Sequence, residues 1–319
     1  MARASHALRL VPPADLADLR SRARAAFLGL ALGDALGATV EFMTAAEIRA
    51  AHGVHREIVG GGWLRLKRGR VTDDTEMSLC LARVLAAGEG WDGRAVAAAF
   101  AAWMRAGPVD VGSTVRKGIR RFMLEGTLEG PPSDGDGGNG AAMRIVPVAL
   151  ATLADRDLLE SWAIAQARLT HHHPLSDAAT VHLGELLHLA VLGRGKPRLR
   201  RATDALLGRC PVFSFEPYRG LASGYVVDTL QTVLHAFHAT RGFEECVVDA
   251  VNRGGDADTT GALAGALAGA YYGGEELPRR WLRALDRRVR EEIMDLSDRL
   301  VARSPLARGA PPAGVGDAA

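Results

Sequence analysis

Apolar residues recur at helical spacing in nearly every stretch between loops, as in Leu79, Leu81, Val84 and Leu85, and again in Leu183, Leu186, Leu187, Leu189 and Val191. Strand-like alternation over several residues is hard to find, so the pattern predicts an all-α chain. Glycine placement sharpens this. Gly29, Gly33 and Gly37 fall at four-residue intervals, as do Gly261, Gly265, Gly269 and Gly273, so each set is expected to line one helix face and admit another backbone. Both segments are read as buried central helices. The G-x-x-x-G spacing also occurs in membrane dimers, but 25–43 is broken by Asp34 and Glu41, and 261–274 is short of the ~20 residues that span a bilayer.

Irregular segments are few: 60–70, the Gly- and Asp-rich 129–140, the corner 171–174, 194–201, 210–221 and the tail from 304. None reads as an interdomain linker. The expected organisation is an N-terminal extension over 1–21, a single compact multi-helix domain over 22–300, and a disordered tail over 301–319. The N-terminus lacks the apolar run of a secretion signal, since Pro12, Pro13, Asp15 and Asp18 interrupt it.

Composition adds exclusions more than assignments. The 319 residues hold 39 Lys+Arg against 37 Asp+Glu, with 48% apolar and 24% charged, which describes a soluble globular chain. A net charge of +2 with scattered arginines gives no footprint of nucleic-acid binding and no polybasic membrane anchor. Cys80, Cys210 and Cys246 are odd in number and far apart, against a disulfide framework or a thiolate zinc site and in keeping with a reduced cytoplasm.

Two acidic clusters stand out, Val71-Thr72-Asp73-Asp74-Thr75-Glu76 and Gly254-Gly255-Asp256-Ala257-Asp258-Thr259-Thr260, each directly before an apolar helical run. Helix capping would explain one of them. Two, each with more carboxylate than a cap can use, point elsewhere, because four close Asp side chains repel unless cations neutralise them. Asp73, Asp74, Asp256 and Asp258 carry four charges, which two divalent cations would balance, and all-oxygen ligands with threonine hydroxyls suit a hard ion such as Mg²⁺ or Mn²⁺. A binuclear hard-metal site is the working reading.

The loop 134–140 formally contains G-x-G-x-x-G, but Pro131 and Pro132 precede it where a strand is required, and an EF-hand fails at Gly138 and Ile145. What survives is a run of backbone N–H groups before Arg144, able to cradle phosphate oxygens, with a flexible surface loop as the simpler alternative. His171, His172 and His173 lack a metal-site partner motif and read as a polar pocket corner. Asp110 is either an N-cap or an acid/base group, and Glu41 poses the same choice. No G-x-S-x-G elbow or His-paired cysteine supports covalent hydrolase chemistry.

Taken in order, Gly29-Leu-Ala-Leu-Gly-Asp-Ala-Leu-Gly37, Thr72-Asp-Asp-Thr75, Asn139-Gly-Ala-Ala-Met-Arg144, Thr170-His171 with Pro174, and Gly254-Gly-Asp-Ala-Asp-Thr-Thr-Gly261 resemble the ADP-ribosylglycohydrolases over roughly residues 22–285. Within that family, Val40-Glu-Phe-Met-Thr44, 171–179 and 223–232 are most similar to the members that act on the nitrogenase iron protein of nitrogen-fixing bacteria. The resemblance implies an all-helical domain around two divalent ions, Mn²⁺ first and Mg²⁺ second, and release of ADP-ribose from an arginine of the iron protein.

By motif, the resemblance assigns Thr72, Asp73 and Asp74 to the metals from one side and Asp256, Asp258 and Thr259 from the other, with Asp256 bridging. It places Asp110 and Glu41 facing the substrate, Asp110 being the first choice for proton transfer. Gly138, Asn139, Gly140, Met143 and Arg144 match the diphosphate loop, and His171 and Tyr225 match ligand-pocket positions. Gly112 and Ser113 match a ribose contact, Ser113 standing where some relatives carry a larger amide or acid. The resemblance further implies a PII signalling protein as partner, with reversible recruitment to the inner membrane through other proteins. The competing readings are hydrolysis of another ADP-ribosyl linkage or small metabolite, and a non-catalytic ADP-ribose binder.

Overall fold

The computed structural model describes residues 15–309. Fifteen α-helices follow one another there: α1 (Asp15–Gly37), α2 (Ala45–His52), α3 (Asp73–Ala87), α4 (Gly93–Arg105), α5 (Ser113–Glu125), α6 (Val146–Ala151), α7 (Arg156–Arg168), α8 (Pro174–Val191), α9 (Lys196–Arg209), α10 (Val226–Ala239), α11 (Phe243–Val251), α12 (Ala257–Tyr272), α13 (Arg279–Ala284), α14 (Arg287–Arg303) and α15 (Pro305–Arg308). Among the described residues β-structure is limited to isolated bridges, so the all-α expectation holds.

The core is organised on α1 and α12, which run antiparallel with almost no side chain between them. A Cβ added to Gly29 would lie 2.1 Å from the Gly265 carbonyl oxygen, and one added to Gly33 would lie 1.9 Å from that of Gly261. Such distances are possible only because both helices present glycine at the crossing. From Ala257 to Ala270 every α12 residue is buried, which is why this helix carries no polar stripe. Gly273 departs from the expected pattern: it faces open space at φ 87° and ends α12 as its C-cap.

The expected segment boundaries also shift. α1 begins at Asp15 and already buries Leu19 within the 1–21 stretch. At the other end Ile293, Leu296, Leu300 and Val301 continue the buried face of α14 past residue 300, and Leu306 N–H donates to Leu153 O at 3.1 Å, docking α15. The rest of the two terminal segments, residues 1–14 and 310–319, lies outside the described residues.

Antiparallel pairing of α1 with α12 has a direct consequence. The C-terminal end of α1 lies beside the start of α12, since Gly37 meets Ala257. Glu41, just beyond α1, is thereby carried to Asp256 and Asp258. The linkers lock the arrangement: Phe42 N–H donates to Gly255 O at 2.7 Å, and Gly255 N–H donates to Met43 O at 2.8 Å. No described helix is long and apolar enough to cross a membrane.

Candidate active site

The two acidic clusters do not serve as caps. Neither Thr72 at the start of α3 nor Asp256 at the start of α12 makes a side-chain capping bond. For α3 that work is done by Asp34 of α1, fully buried, whose carboxylate accepts from Thr72 N–H at 3.0 Å and from Thr75 N–H at 3.2 Å. A carboxylate from another helix satisfies the α3 N-terminus, which leaves Asp73 and Asp74 free to face α12. Burial raises the Asp34 pKa to about 6 against the opposing effect of these bonds.

Around this scaffold the predicted acidic residues converge. Thr72 Oγ1 lies 3.0 Å from Asp34 Oδ1 and 3.4 Å from both Asp74 Oδ2 and Asp258 Oδ2, while Thr259 Oγ1 lies 3.3 Å from Asp74 Oδ2. One hydroxyl proton cannot serve three carboxylate oxygens. Asp74 Oδ1 is buried with no hydrogen-bond partner at all. Asp73 Oδ2 is 3.4 Å from the Gly112 N–H, and Asp256 Oδ2 accepts from Asn139 Nδ2 at 2.7 Å.

Glu41, Asp110 and Asp258 each offer a carboxylate oxygen within 4.8 Å of the other two. The two residues expected as acid/base groups therefore stand among the candidate metal ligands. Asp110 is not the N-cap of α5: that place belongs to Gly112, and Asp110 Oδ1 accepts from the adjacent Val111 N–H at 2.8 Å. Glu41 Oε2 accepts from Trp63 Nε1–H at 2.6 Å.

Crowding is visible in the acidities. Burial first, and then neighbouring carboxylates, push Asp73 up to about 8 and hold Asp74 and Asp258 well above the ordinary carboxylate range. Glu41 is likewise raised to about 8, mainly by burial, and Asp110 is raised for the same reason. An orphaned carboxylate oxygen among acids that cannot all ionise together fits a site for hard divalent cations. A separate cavity of about 850 Å³, lined by Arg49, Arg56, Val248 and Arg253 among others, contains none of these carboxylates.

The Gly-rich loop is held as a ledge beside the cluster and not as a free surface loop. Asn139 N–H donates to Gly224 O and Val226 N–H to Gly137 O, each at 3.0 Å, pinning the loop to the start of α10. A Cβ on Gly137 would lie 3.2 Å from the Tyr225 ring, and one on Gly140 would lie 2.8 Å from the His171 ring. Glycine is required here by close approach. Gly112, Ser113 and Tyr225 are exposed on the cleft side and Gly138 is half-buried.

Met143, Arg144 and His171 stand behind the ledge, which corrects the expectation that they present surface to a ligand. Arg144 is fully buried, with its guanidinium donating to Gln166 Oε1 at 2.7 Å, Gln166 O at 3.0 Å and Thr170 Oγ1 at 2.7 Å while covering the Phe100 ring. Its donors are spent within the fold, and desolvation lowers its pKa to about 9. Met143 is a core residue.

Thr170 Oγ1 accepts from Arg144 and is hydrogen-bonded to His171 Nδ1 at 2.8 Å. His171 Nε2 lies beneath Gly138, and burial drives the His171 pKa down to about 3, which keeps it neutral. His172 Nδ1 pairs with Gly130 O, and His173 Nδ1 caps α8 through Leu175 N–H, so this corner is structural.

Sequence reasoning missed Asp34, Trp63 and Thr229, the last accepting a 3.0 Å bond from Asn139 Nδ2. Asp34 left one signal, a lone carboxylate between Gly33 and Gly37 of an apolar helix. Trp63 and Thr229 left none, since only tertiary folding brings them to their partners.

Comparison with known proteins places this geometry among relatives. The model of the ADP-ribosylglycohydrolase family matches residues 15–309. The chain is 55% identical, over 91% of its length and 98% of the relative's, to the ADP-ribosyl-[dinitrogen reductase] glycohydrolase of Rhodospirillum rubrum. It is 33% identical, over 87% of its length and 78% of the relative's, to the ADP-ribosylarginine hydrolase Tri1 of Pseudomonas putida (strain GB-1). A solved chain described as an ADP-ribosylglycohydrolase-related protein complex superposes with a TM-score of 0.80 at 37% identity, covering 90% of this chain and 99% of that one. With one family model spanning every described residue and relatives aligned over most of their length, the chain belongs to the ADP-ribosylglycohydrolase family.

Proposed function

We propose that this protein hydrolyses the N-glycosidic bond between ADP-ribose and an arginine of dinitrogen reductase, the nitrogenase iron protein, and so restores that protein to its unmodified form. The observation that carries the reading is the partnerless buried oxygen of Asp74 within the converging carboxylates, a donor set built for cations. Similarity to the R. rubrum glycohydrolase over nearly its whole length supports the linkage and the target.

Two divalent ions, Mn²⁺ before Mg²⁺, would be held by Thr72, Asp73 and Asp74 at the start of α3 and by Asp256, Asp258 and Thr259 at the start of α12. Bound there, they would supply Lewis-acid stabilisation and fix the ribose hydroxyls and a water. Asn139 orients Asp256 through its 2.7 Å bond. Asp110, half-buried at the cleft edge, is the group assigned to proton transfer at the leaving guanidine, with Glu41 as the second choice. Gly138, Asn139 and Gly140 form the ledge for the diphosphate, Tyr225 closes its outer edge, and Gly112 with Ser113 borders the ribose.

A PII signalling protein is the regulator this reading implies, acting through protein contacts, with any membrane recruitment reversible and indirect. The test is incubation of arginine-ADP-ribosylated iron protein with the purified full chain, with Mn²⁺ or with a chelator, following the modified peptide by mass spectrometry. Metal-dependent loss of the arginine adduct is expected. An untouched arginine adduct alongside cleavage of a serine adduct would refute the linkage.

A further inference from the structure

Phe42 and Trp63 stand beside the carboxylate cluster, and the hydrolysis described above makes no use of their rings. Phe42 is a non-glycine residue at φ 64°, a conformation that bulky side chains rarely adopt. Backbone bonds on both sides hold it there, from its own N–H to Gly255 O and from Gly255 N–H to Met43 O. Yet the ring so held is 64% exposed, and its neighbour Trp63 is 53% exposed. Their centroids are 5.4 Å apart. A strained backbone that turns an aromatic ring into solvent next to a reaction centre has no stability rationale.

The pair is tied to the chemistry through Glu41, which accepts the Trp63 indole proton at 2.6 Å and lies within 4.8 Å of the Asp110 and Asp258 ligand atoms. Asn139 and Tyr225, with the glycine ledge, occupy the Asp256 side of the cluster. Asp110, the group assigned to the leaving guanidine, has a carboxylate oxygen within 4.8 Å of one from Glu41, so a substrate whose ADP-ribose lies on that ledge brings its arginine beside Glu41. An N-glycosylated arginine presents a planar cationic guanidinium on an aliphatic stem, and both parts are attracted to exposed aromatic faces. A serine adduct offers neither.

We propose that Phe42 and Trp63 form the arginine-side subsite, which stacks the modified guanidinium and its stem, and that Trp63 also acts as the positioning residue for Glu41. This deepens the arginine-linkage reading above and rests on it.

The test is steady-state hydrolysis of ADP-ribosyl-arginine by the full chain with Mn²⁺, with inhibition by free ADP-ribose measured in parallel and thermal unfolding as a folding check. Asparagine tolerates the left-handed backbone, so Phe42→Asn removes the ring alone, and Phe42→Gly is a second ring deletion with a relaxed backbone. Both are expected to raise KM about tenfold, with kcat and the ADP-ribose Ki within about twofold of wild type. Trp63→Phe keeps an aromatic face and loses the N–H, so kcat should fall about tenfold with KM nearly unchanged. An unchanged KM in both Phe42 variants, or a KM and Ki that rise together, would overturn the subsite. Wild-type protein that cleaves a serine adduct but not the arginine adduct would instead remove the linkage reading beneath it.

Discussion

Asp34 of α1 caps α3, accepting from Thr72 N–H at 3.0 Å and from Thr75 N–H at 3.2 Å, as well as from both threonine hydroxyls. This bond set allows the α3 carboxylates to face another helix instead of their own. Asp34→Ala would leave two buried N–H groups and two hydroxyls short of an acceptor, and should cost about 3 kcal/mol or more of unfolding free energy. Asp34→Asn should cost less than half as much, because one amide oxygen still accepts. Urea unfolding of the two variants checks the order.

Metal-free protein should lose stability as pH rises from 6.5 to 8. Unfolded carboxylates are already ionised in this window, whereas burial and mutual repulsion raise Asp73 and Glu41 to about 8 in the fold. The folded state therefore binds more protons, and its stability falls as pH climbs toward the raised values. His171 and His188, pushed down to about 3 and about 4 by burial, are neutral in the fold but about half protonated at pH 6.5 when unfolded, so they oppose the trend weakly at the lower end of the window and not above it. A melting temperature lower by a few degrees at pH 8 than at pH 6.5 is expected without metal. Saturating Mn²⁺ should abolish the slope. Equal slopes with and without the ion would contradict the cation-site assignment.

Gly33→Ala should cost more than Gly273→Ala, although both belong to four-residue series in the sequence. A Cβ at Gly33 would meet the Gly261 carbonyl oxygen at 1.9 Å, forcing α1 and α12 apart, at a cost of about 3 kcal/mol or more. At Gly273 nothing stands within 4 Å, and the cost is that of the backbone at φ 87° and ψ 176°, a region essentially confined to glycine, on the order of 1–3 kcal/mol. Paired denaturation curves would show the difference.

That contrast shows what was legible in the sequence. Spacing identifies which helix faces carry glycine, but not that α12 stops at Tyr272 and turns away at Gly273 while α1 runs on to Asp15. The acidic clusters were legible because they hold more carboxylate than capping can use. Asp34 was not recognised as the α3 cap because that role is defined only by the crossing of α1 with α3. Arg144 follows a glycine-rich loop in sequence, as a phosphate ligand would, yet its guanidinium turns inward to Gln166 and Thr170. Sequence gives the residue and the order, and the direction of a long side chain comes from packing.

Asn139→Ala should lower the hydrolytic rate roughly 10- to 100-fold while costing only about 1 kcal/mol of stability, because Asn139 fixes Asp256 at 2.7 Å and is itself held by Thr229 at 3.0 Å. Raising Mn²⁺ should restore part of the rate if the defect lies in ligand orientation. Rates across an Mn²⁺ titration, alongside a melting curve, separate that from simple destabilisation.

The measurement that bears most directly on the central claim is Mn²⁺-dependent release of ADP-ribose from arginine-modified dinitrogen reductase by wild type and Asp258→Asn. Asp258 is the residue that joins the Glu41 and Asp110 group to Thr72. The account predicts rapid release by wild type, none with a chelator, and a loss of about 10³-fold or more in Asp258→Asn with the fold intact. Release that is indifferent to chelator, or an Asp258→Asn variant as active as wild type, would contradict it.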